Sequence, residues 1–381
     1  MKRIFLLTAA ALLLCSGCSW MEGSYVSVTS HQVGYLRTDD EPFVVSSLSQ
    51  MRSALVTLVD SGESEALLTL VDYPEEQIDT DLKTAVDYVT RVYPIGAYAV
   101  REIIPIRGST SGQETIAIQV RYEHSKSEIR QIRNVRGIEG AKAAIAEALQ
   151  NFQHILTLQI TSYEDTDFQQ MIEDYSSQHP DLVMEHPSVT PQIYPDEGST
   201  RILTLKFNYE QGRDQLRKMR ETVEPIFASA QLYVTPDAQD AVKLGQLYYF
   251  LMQRSDYTVQ SSFTPAYSLL AHGVGDSKAF ADVYGAMCRQ VGLEAMTVSG
   301  TCRGEIRFWN IVRCDDTFCH VDLLRGYDGD GFRLYGDREM TDYVWDYSAF
   351  PVCSSPLLEQ IPETVPQVSL QPNPENPTAP G

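Results

Sequence analysis

Between Ala266 and Asp322 the hydrophobic period switches from helix to strand in an order that leaves the fold little freedom. Phe280, Val283, Tyr284, Met287, Cys288 and Val291 recur at three- and four-residue spacing, so a helix starting at Ser277 buries one face. Cys288 lies on that face and reads as core. Asp276 or Ser277 can cap the first turn by accepting a bond from a free backbone N–H, and Ser277 is expected to serve as a cap. A strand ending at Ser299-Gly300 follows. The segment Ile306 to Leu324 then reads as a hairpin turning at Asp315-Asp316. In that register Cys314 faces Thr317 and Trp309 falls opposite Asp322. Side chains alternate along a strand, so Arg307, Trp309 and Asp322 share one face. A long arginine side chain reaches its diagonal neighbour, which predicts an Arg307–Asp322 ion pair.

The order of these elements resembles the bacterial transglutaminase-like superfamily, relatives of the papain-type cysteine proteases. That pattern has a Cys at a helix start and a Gly ending the helix. A strand ending in Ser-Gly, a His-x-Trp-Asn strand and a partner carrying His-Val-Asp come next. Gly292, Ser299-Gly300, Trp309-Asn310 and His320-Val321-Asp322 match it. Ser277 stands at the nucleophile position and Arg307 at the base position. The resemblance therefore implies a degenerate triad, Ser277, Arg307 and Asp322. A helix N-terminus lowers the pKa of a thiol, whereas a serine hydroxyl stays protonated and needs a strong base beside it. Arginine is protonated at any physiological pH and cannot be that base.

Three functions follow as expectations. The first is a catalytically inactive transglutaminase-like domain that binds a protein or peptide in a groove bordered by Trp309, Asn310, His320 and His272. The second is a residual amide hydrolase or acyl transferase. It would use Ser277 with His272 or in a Ser277–His320–Asp322 relay, since His320 shares the face of Asp322. The third is a purely structural surface protein.

Upstream, two segments repeat. Arg121 to Arg133 lines up with Asn208 to Arg220, and Asp87-Tyr88 and Asp174-Tyr175 fall at the same offset, which suggests a duplication. Each copy reads strand, helix, strand, strand, helix. The first runs through Ala66–Val71, Leu82–Val92, Tyr98–Ile106, Thr115–Tyr122 and Glu128–Val135. The basic residues closing the copies, Lys126, Arg130, Arg133 and Arg136, then Arg213, Arg217, Lys218 and Arg220, are expected to pair with carboxylates rather than bind anions. The expected fold class is α+β: two tandem βαββα-type units, 50–136 and 137–235, then a transglutaminase-like (papain-like) α+β domain at 236–355. Residues 18–49 read as a linker. Seven prolines between Pro356 and Pro380 make 356–381 an extended, disordered tail.

Lys2 and Arg3, the apolar run Ile4 to Leu14, and Ser16-Gly17 before Cys18 read as a lipoprotein signal over 1–17. Cleavage and lipidation at Cys18 would hold the protein on the extracytoplasmic face of a cell membrane. The net charge of −21 repels phosphate backbones, so nucleic acid is not an expected partner. Beyond Cys15 and Cys18, the cysteines Cys288, Cys302, Cys314, Cys319 and Cys353 are odd in number and lack C-x-x-C spacing. Buried thiols are expected, with no metal site and no cofactor.

Overall fold

The computed structural model describes residues 42–326 and 331–355. The signal segment, Cys18, most of the expected linker and the Pro-rich tail lie outside the described residues. The described chain divides into two compact units. One holds 42–143, 157–166 and 192–204, and the other holds 144–156, 167–191 and 205–355 without 327–330.

The chain begins with β1 (Phe43–Val45), α1 (Leu48–Ser61), β2 (Glu65–Leu70), α2 (Ile78–Arg91), α3 (Pro94–Ala99), β3 (Val100–Thr110) and β4 (Gln113–Tyr122). Their sheet has the order β1-β2-β4-β3, with β1 and β2 parallel. Ser111 and Gly112 turn the β3–β4 hairpin with positive φ at both positions, the geometry a two-residue loop needs to match strand twist. Next come α4 (Lys126–Arg130), β5 (Arg133–Arg136), α5 (Gly137–Gln150), β6 (Ile155–Thr161), α6 (Phe168–Gln178), β7 (Ser188–Tyr194) and β8 (Thr200–Asn208). This second sheet runs β5-β6-β8-β7, again with a parallel first pair.

The expected strand-helix-strand-strand-helix order is present in both copies, β2-α2-β3-β4-α4 with the short α3 added, and β6-α6-β7-β8 followed by the helix Arg213–Tyr233; each sheet gains an unexpected strand and helix in front, β1-α1 and β5-α5. A second difference lies at 128–135, expected as one helix. A Ser125–Glu128 capping box starts α4, but the helix lasts one turn. Val135 is β-branched and buried, and it pairs with Ile160 in β5 instead. The basic residues there cannot form one helical face. Lys126 pairs with Glu63. In α7 (Arg213–Tyr233) two of the four basic residues expected to pair with carboxylates bond carbonyls instead. Arg213 Nε donates to Asn151 O at 2.9 Å and Arg220 Nη1 to Gln150 O at 2.6 Å, while Arg217 lies 3.8 Å from Asp214.

The second unit continues with α8 (Asp240–Met252), β9 (Asp256–Tyr257), α9 (Pro265–His272), β10 (Val274–Gly275) and α10 (Ser277–Gln290). After them come β11 (Ala295–Cys302), β12 (Glu305–Cys314), β13 (Thr317–Val321), the single turn α11 (Leu323–Arg325) and β14 (Tyr343–Trp345). Helix α10 is the hub. Phe280, Val283, Tyr284, Met287 and Cys288 pack with Leu244, Leu247 and Leu251 of α8 and with Val312 and Val321 of the sheet. Burial pushes the Cys288 thiol up to about 12, so it is core, as its spacing indicated. The sheet order is β13-β12-β11-β14, antiparallel throughout. Cys314 pairs with Thr317 around Asp315-Asp316, the register expected.

Candidate functional site

Two glycines set the frame. Gly292 turns the chain out of α10 at φ 82°, a left-handed conformation that suits glycine. Gly300 allows close approach: a Cβ there would lie 2.3 Å from Val344 O and 2.7 Å from the Trp309 ring. The Ser-Gly strand end therefore makes room for β14 and for the indole.

At the start of α10 the cap is Asp276, whose Oδ1 accepts from Ala279 N at 2.9 Å. Ser277 is the first helical residue and not the cap expected. It is buried, and its hydroxyl accepts from Phe308 N at 3.3 Å. Asp276 takes the cap because its backbone is still extended while that of Ser277 is already helical.

The two faces of β12 have different occupants. Asn310 donates to Ala281 O at 2.9 Å, and Lys278 Nζ sits over the Phe308 ring, so the even-numbered side chains face α10. Arg307 and Trp309 lie on the other face. There Arg307 Nε donates to Asp322 Oδ2 at 2.9 Å and Nη2 to Oδ1 at 3.0 Å. The expected ion pair is present and bidentate. Asp322 also accepts from Tyr343 Oη at 2.7 Å and from the amides of Leu324 and Arg325 at 3.0 and 3.4 Å. Burial opposes the arginine's charge, but the Asp322 carboxylate outweighs it and holds the guanidinium above its ordinary value.

His320 is fully committed on this same face. Trp309 Nε1 donates to its Nδ1 at 3.0 Å, and its Nε2 meets Asp337 Oδ1 at 2.9 Å. Burial lowers its pKa against the pull of Asp337, which favours the neutral ring. Indole N–H is a donor only, so Nδ1 carries the lone pair and Nε2 the proton. In that tautomer the Nε2 proton faces Asp337 within the cluster of His320, Asp337 and Cys353, whose donor atoms lie within 4.8 Å of one another. Nε2 has no lone pair to offer. The Ser277–His320–Asp322 relay fails for the same reason, and because Ser277 reaches β12 from the α10 side. His272 ends α9 and lies edge-on to Tyr267 at 5.1 Å. Among the described residues, no histidine bonds Ser277.

Residues 229–323 match the model of the transglutaminase-like superfamily. The chain carries a transglutaminase-like domain. Among solved structures it is similar to a TGase crystal structure, at 8% identity and a TM-score of 0.25, over 44% of this chain and 50% of that one. It is also similar to a candidate protease from Parabacteroides distasonis, at 8% identity and a TM-score of 0.23, over 68% of this chain and 40% of that one. The chain spans half or less of the length of these solved structures. No curated protein matches.

In this transglutaminase-like domain the groove expected at Trp309 is absent. Trp309, Asn310 and His320 are each 0% exposed. Trp309 is covered by Tyr343 and Trp345 of β14, both edge-on to its ring. Tyr335 exchanges backbone bonds with His320 and seals the β13 side. The opening lies further along the strand instead. A cleft of about 360 Å³ is lined by Tyr257, Cys302, Arg303, Arg307, Arg325 and Tyr343, among others. Of these the sequence singled out Arg307 as a site residue and Cys302 only as an expected buried thiol, which the half-buried Cys302 is not. Arg325 could have been found as the residue one turn past Asp322, the position a capping carboxylate orders. All five cysteines of the described residues are free thiols, and only Cys302 is not buried.

Proposed function

We propose that this protein is held by lipid on Cys18 at the extracytoplasmic face of a membrane, and that its transglutaminase-like domain binds a peptide or protein segment without cysteine-type chemistry. The observation that carries this reading is the Arg307–Asp322 fork. It occupies the positions where the resemblance implies a base and its orienter, while the Ser277 hydroxyl is bonded to a backbone amide. A permanent cation cannot remove a proton from a nucleophile. The residual serine-enzyme reading lacks a free histidine nitrogen at Ser277. The cleft beside Arg307 favours binding over a purely structural role.

No helix among the described residues is long and apolar enough to cross a membrane. Lipid on Cys18 is the anchor we propose, so Cys18→Ser should move the protein to the soluble fraction. Retention in the membrane pellet after a salt wash would count against it. Binding is tested by selecting a random peptide library on the immobilised protein. A shared motif should be enriched and then lost when Thr341→Trp fills the cleft wall. Selection no better than on bare support would reject the binding role.

A further inference from the structure

We propose that the cleft beside Arg307 grips a carboxylate group of a peptide, an inference that rests on the peptide-binding reading and names what is bound. A volume of about 360 Å³ suits one side chain or a chain end, not a folded partner. Two guanidinium groups line it in fixed orientations. Arg307 spends its Nε–H and one Nη2–H on Asp322, which locks the plane of the fork and leaves its remaining N–H groups for a ligand. Arg325 is stacked on the Tyr335 ring with its guanidinium carbon 4.0 Å from the centroid, and its Nη1 donates to Glu339 O at 3.2 Å. Among the described residues it has no carboxylate within ion-pair distance.

Two of the three acidic groups of the wall, Asp342 and Glu339, are already engaged. Asp342 takes Arg303 Nε at 3.0 Å. Glu339 accepts from Gly336 N at 3.0 Å and from the Ser355 hydroxyl. Glu305 is exposed. The charge of Arg307 is offset by Asp322, so Arg325, bonded to the Glu339 carbonyl and stacked on Tyr335, is the cation with guanidinium donors left for a ligand. A planar, singly charged carboxylate fits paired guanidinium donors. A dianionic phosphate would bring excess negative charge close to Asp322, Glu339 and Asp342. Tyr257 and Ile306, 40% and 77% exposed, offer apolar contact to the residues flanking that carboxylate.

The test uses the mature protein and three peptides. They are acetyl-Gly-Gly-Glu-Gly-Gly-amide, its Gln counterpart, and the Gln peptide with a free C-terminal carboxylate. Titration is followed by the side-chain Nε–Hε resonances of Arg307 and Arg325. At least one carboxylate peptide should bind about tenfold more tightly than the blocked Gln peptide, and the stronger of the two identifies side chain or chain end as the source. Arg325→Gln should abolish the preference, with circular dichroism confirming the fold. Thr341→Trp, at a wall residue that bonds neither arginine, should block all three peptides. Equal binding of the three would overturn the carboxylate inference and leave peptide binding standing. A preference that survives Arg325→Gln would place the carboxylate elsewhere and also overturn it. No binding of any peptide would reject the cleft as a peptide site altogether.

Discussion

Among the described residues the transglutaminase-like domain contains two ion pairs whose carboxylates are almost fully buried, one on each face of β12, and they are built differently. On the outer face Asp322 receives a guanidinium fork, a phenol and two backbone amides, so both its oxygens are satisfied. On the α10 face Asp282 receives Lys278 Nζ on Oδ2 at 2.8 Å, while its Oδ1 has no hydrogen-bond partner among the described residues. Burial raises the Asp282 pKa, opposed by Lys278 and by the nearby Thr297 and Ser177 hydroxyls, whose contacts with the carboxylate are weaker than those the outer pair receives. Removing charges from water costs several kcal/mol per ion, and only complete hydrogen bonding offsets that cost. The outer pair meets this condition and the inner pair does not. Ion pairing alone therefore does not identify a strut; the number of donors reaching the carboxylate does.

The largest effect that could break this comparison is at Arg307. Arg307→Gln should cost about 3–5 kcal/mol, because Asp322 would be left buried with its charge uncompensated. Urea unfolding followed by tryptophan fluorescence reads this face directly, since Trp309 and Trp345 both belong to it. A loss below about 1 kcal/mol would mean that water replaces the fork.

The second effect concerns His186, whose pKa is lowered to about 4 by burial and by Lys278. Its folded value lies below its ordinary value near 6.5, so the unfolded chain binds the proton more readily. The neutral ring's contribution is present above about pH 6.5 and is lost as pH falls towards 4. Wild type should lose up to about 3 kcal/mol more than His186→Gln across that window. Parallel pH profiles for the two proteins would show that His186 is not strained by its neighbours.

The smallest effect is expected at Asp282. Asp282→Asn removes a half-satisfied buried charge while Lys278 remains partly exposed to water. Stability should stay within about 1 kcal/mol of wild type. A loss as large as that of Arg307→Gln would erase the distinction between the pairs.

The Arg307–Asp322 contact was legible in the sequence because the hairpin that makes it is local, whereas the Tyr343 phenol that completes it was not. The Asp315-Asp316 turn fixes the register, and alternation then places Arg307 and Asp322 together. The buried face of α10 was legible for the same reason. The fate of Trp309 was not. Its cover comes from Tyr335, Tyr343 and Trp345, a return of the chain that no periodicity around 309 announces. The break between α4 and β5 was hidden because Glu128 to Val135 suits one helix in isolation. The β5–β6 pairing that pulls Val135 into a strand lies outside that window. The resemblance supplied the positions of Ser277 and Arg307 but not the cleft, whose walls at Arg325, Glu339, Thr341, Asp342 and Tyr343 fall beyond the matched residues.

An arginine fork at the base position leaves Ser277 with no group to take its proton. The direct measurement is ammonia release from a blocked glutamine peptide by pure mature protein, with and without a primary amine, compared with Ser277→Ala. No release above the enzyme-free rate in either protein is the predicted result. Release by wild type that disappears in Ser277→Ala would contradict it and make Ser277 a nucleophile.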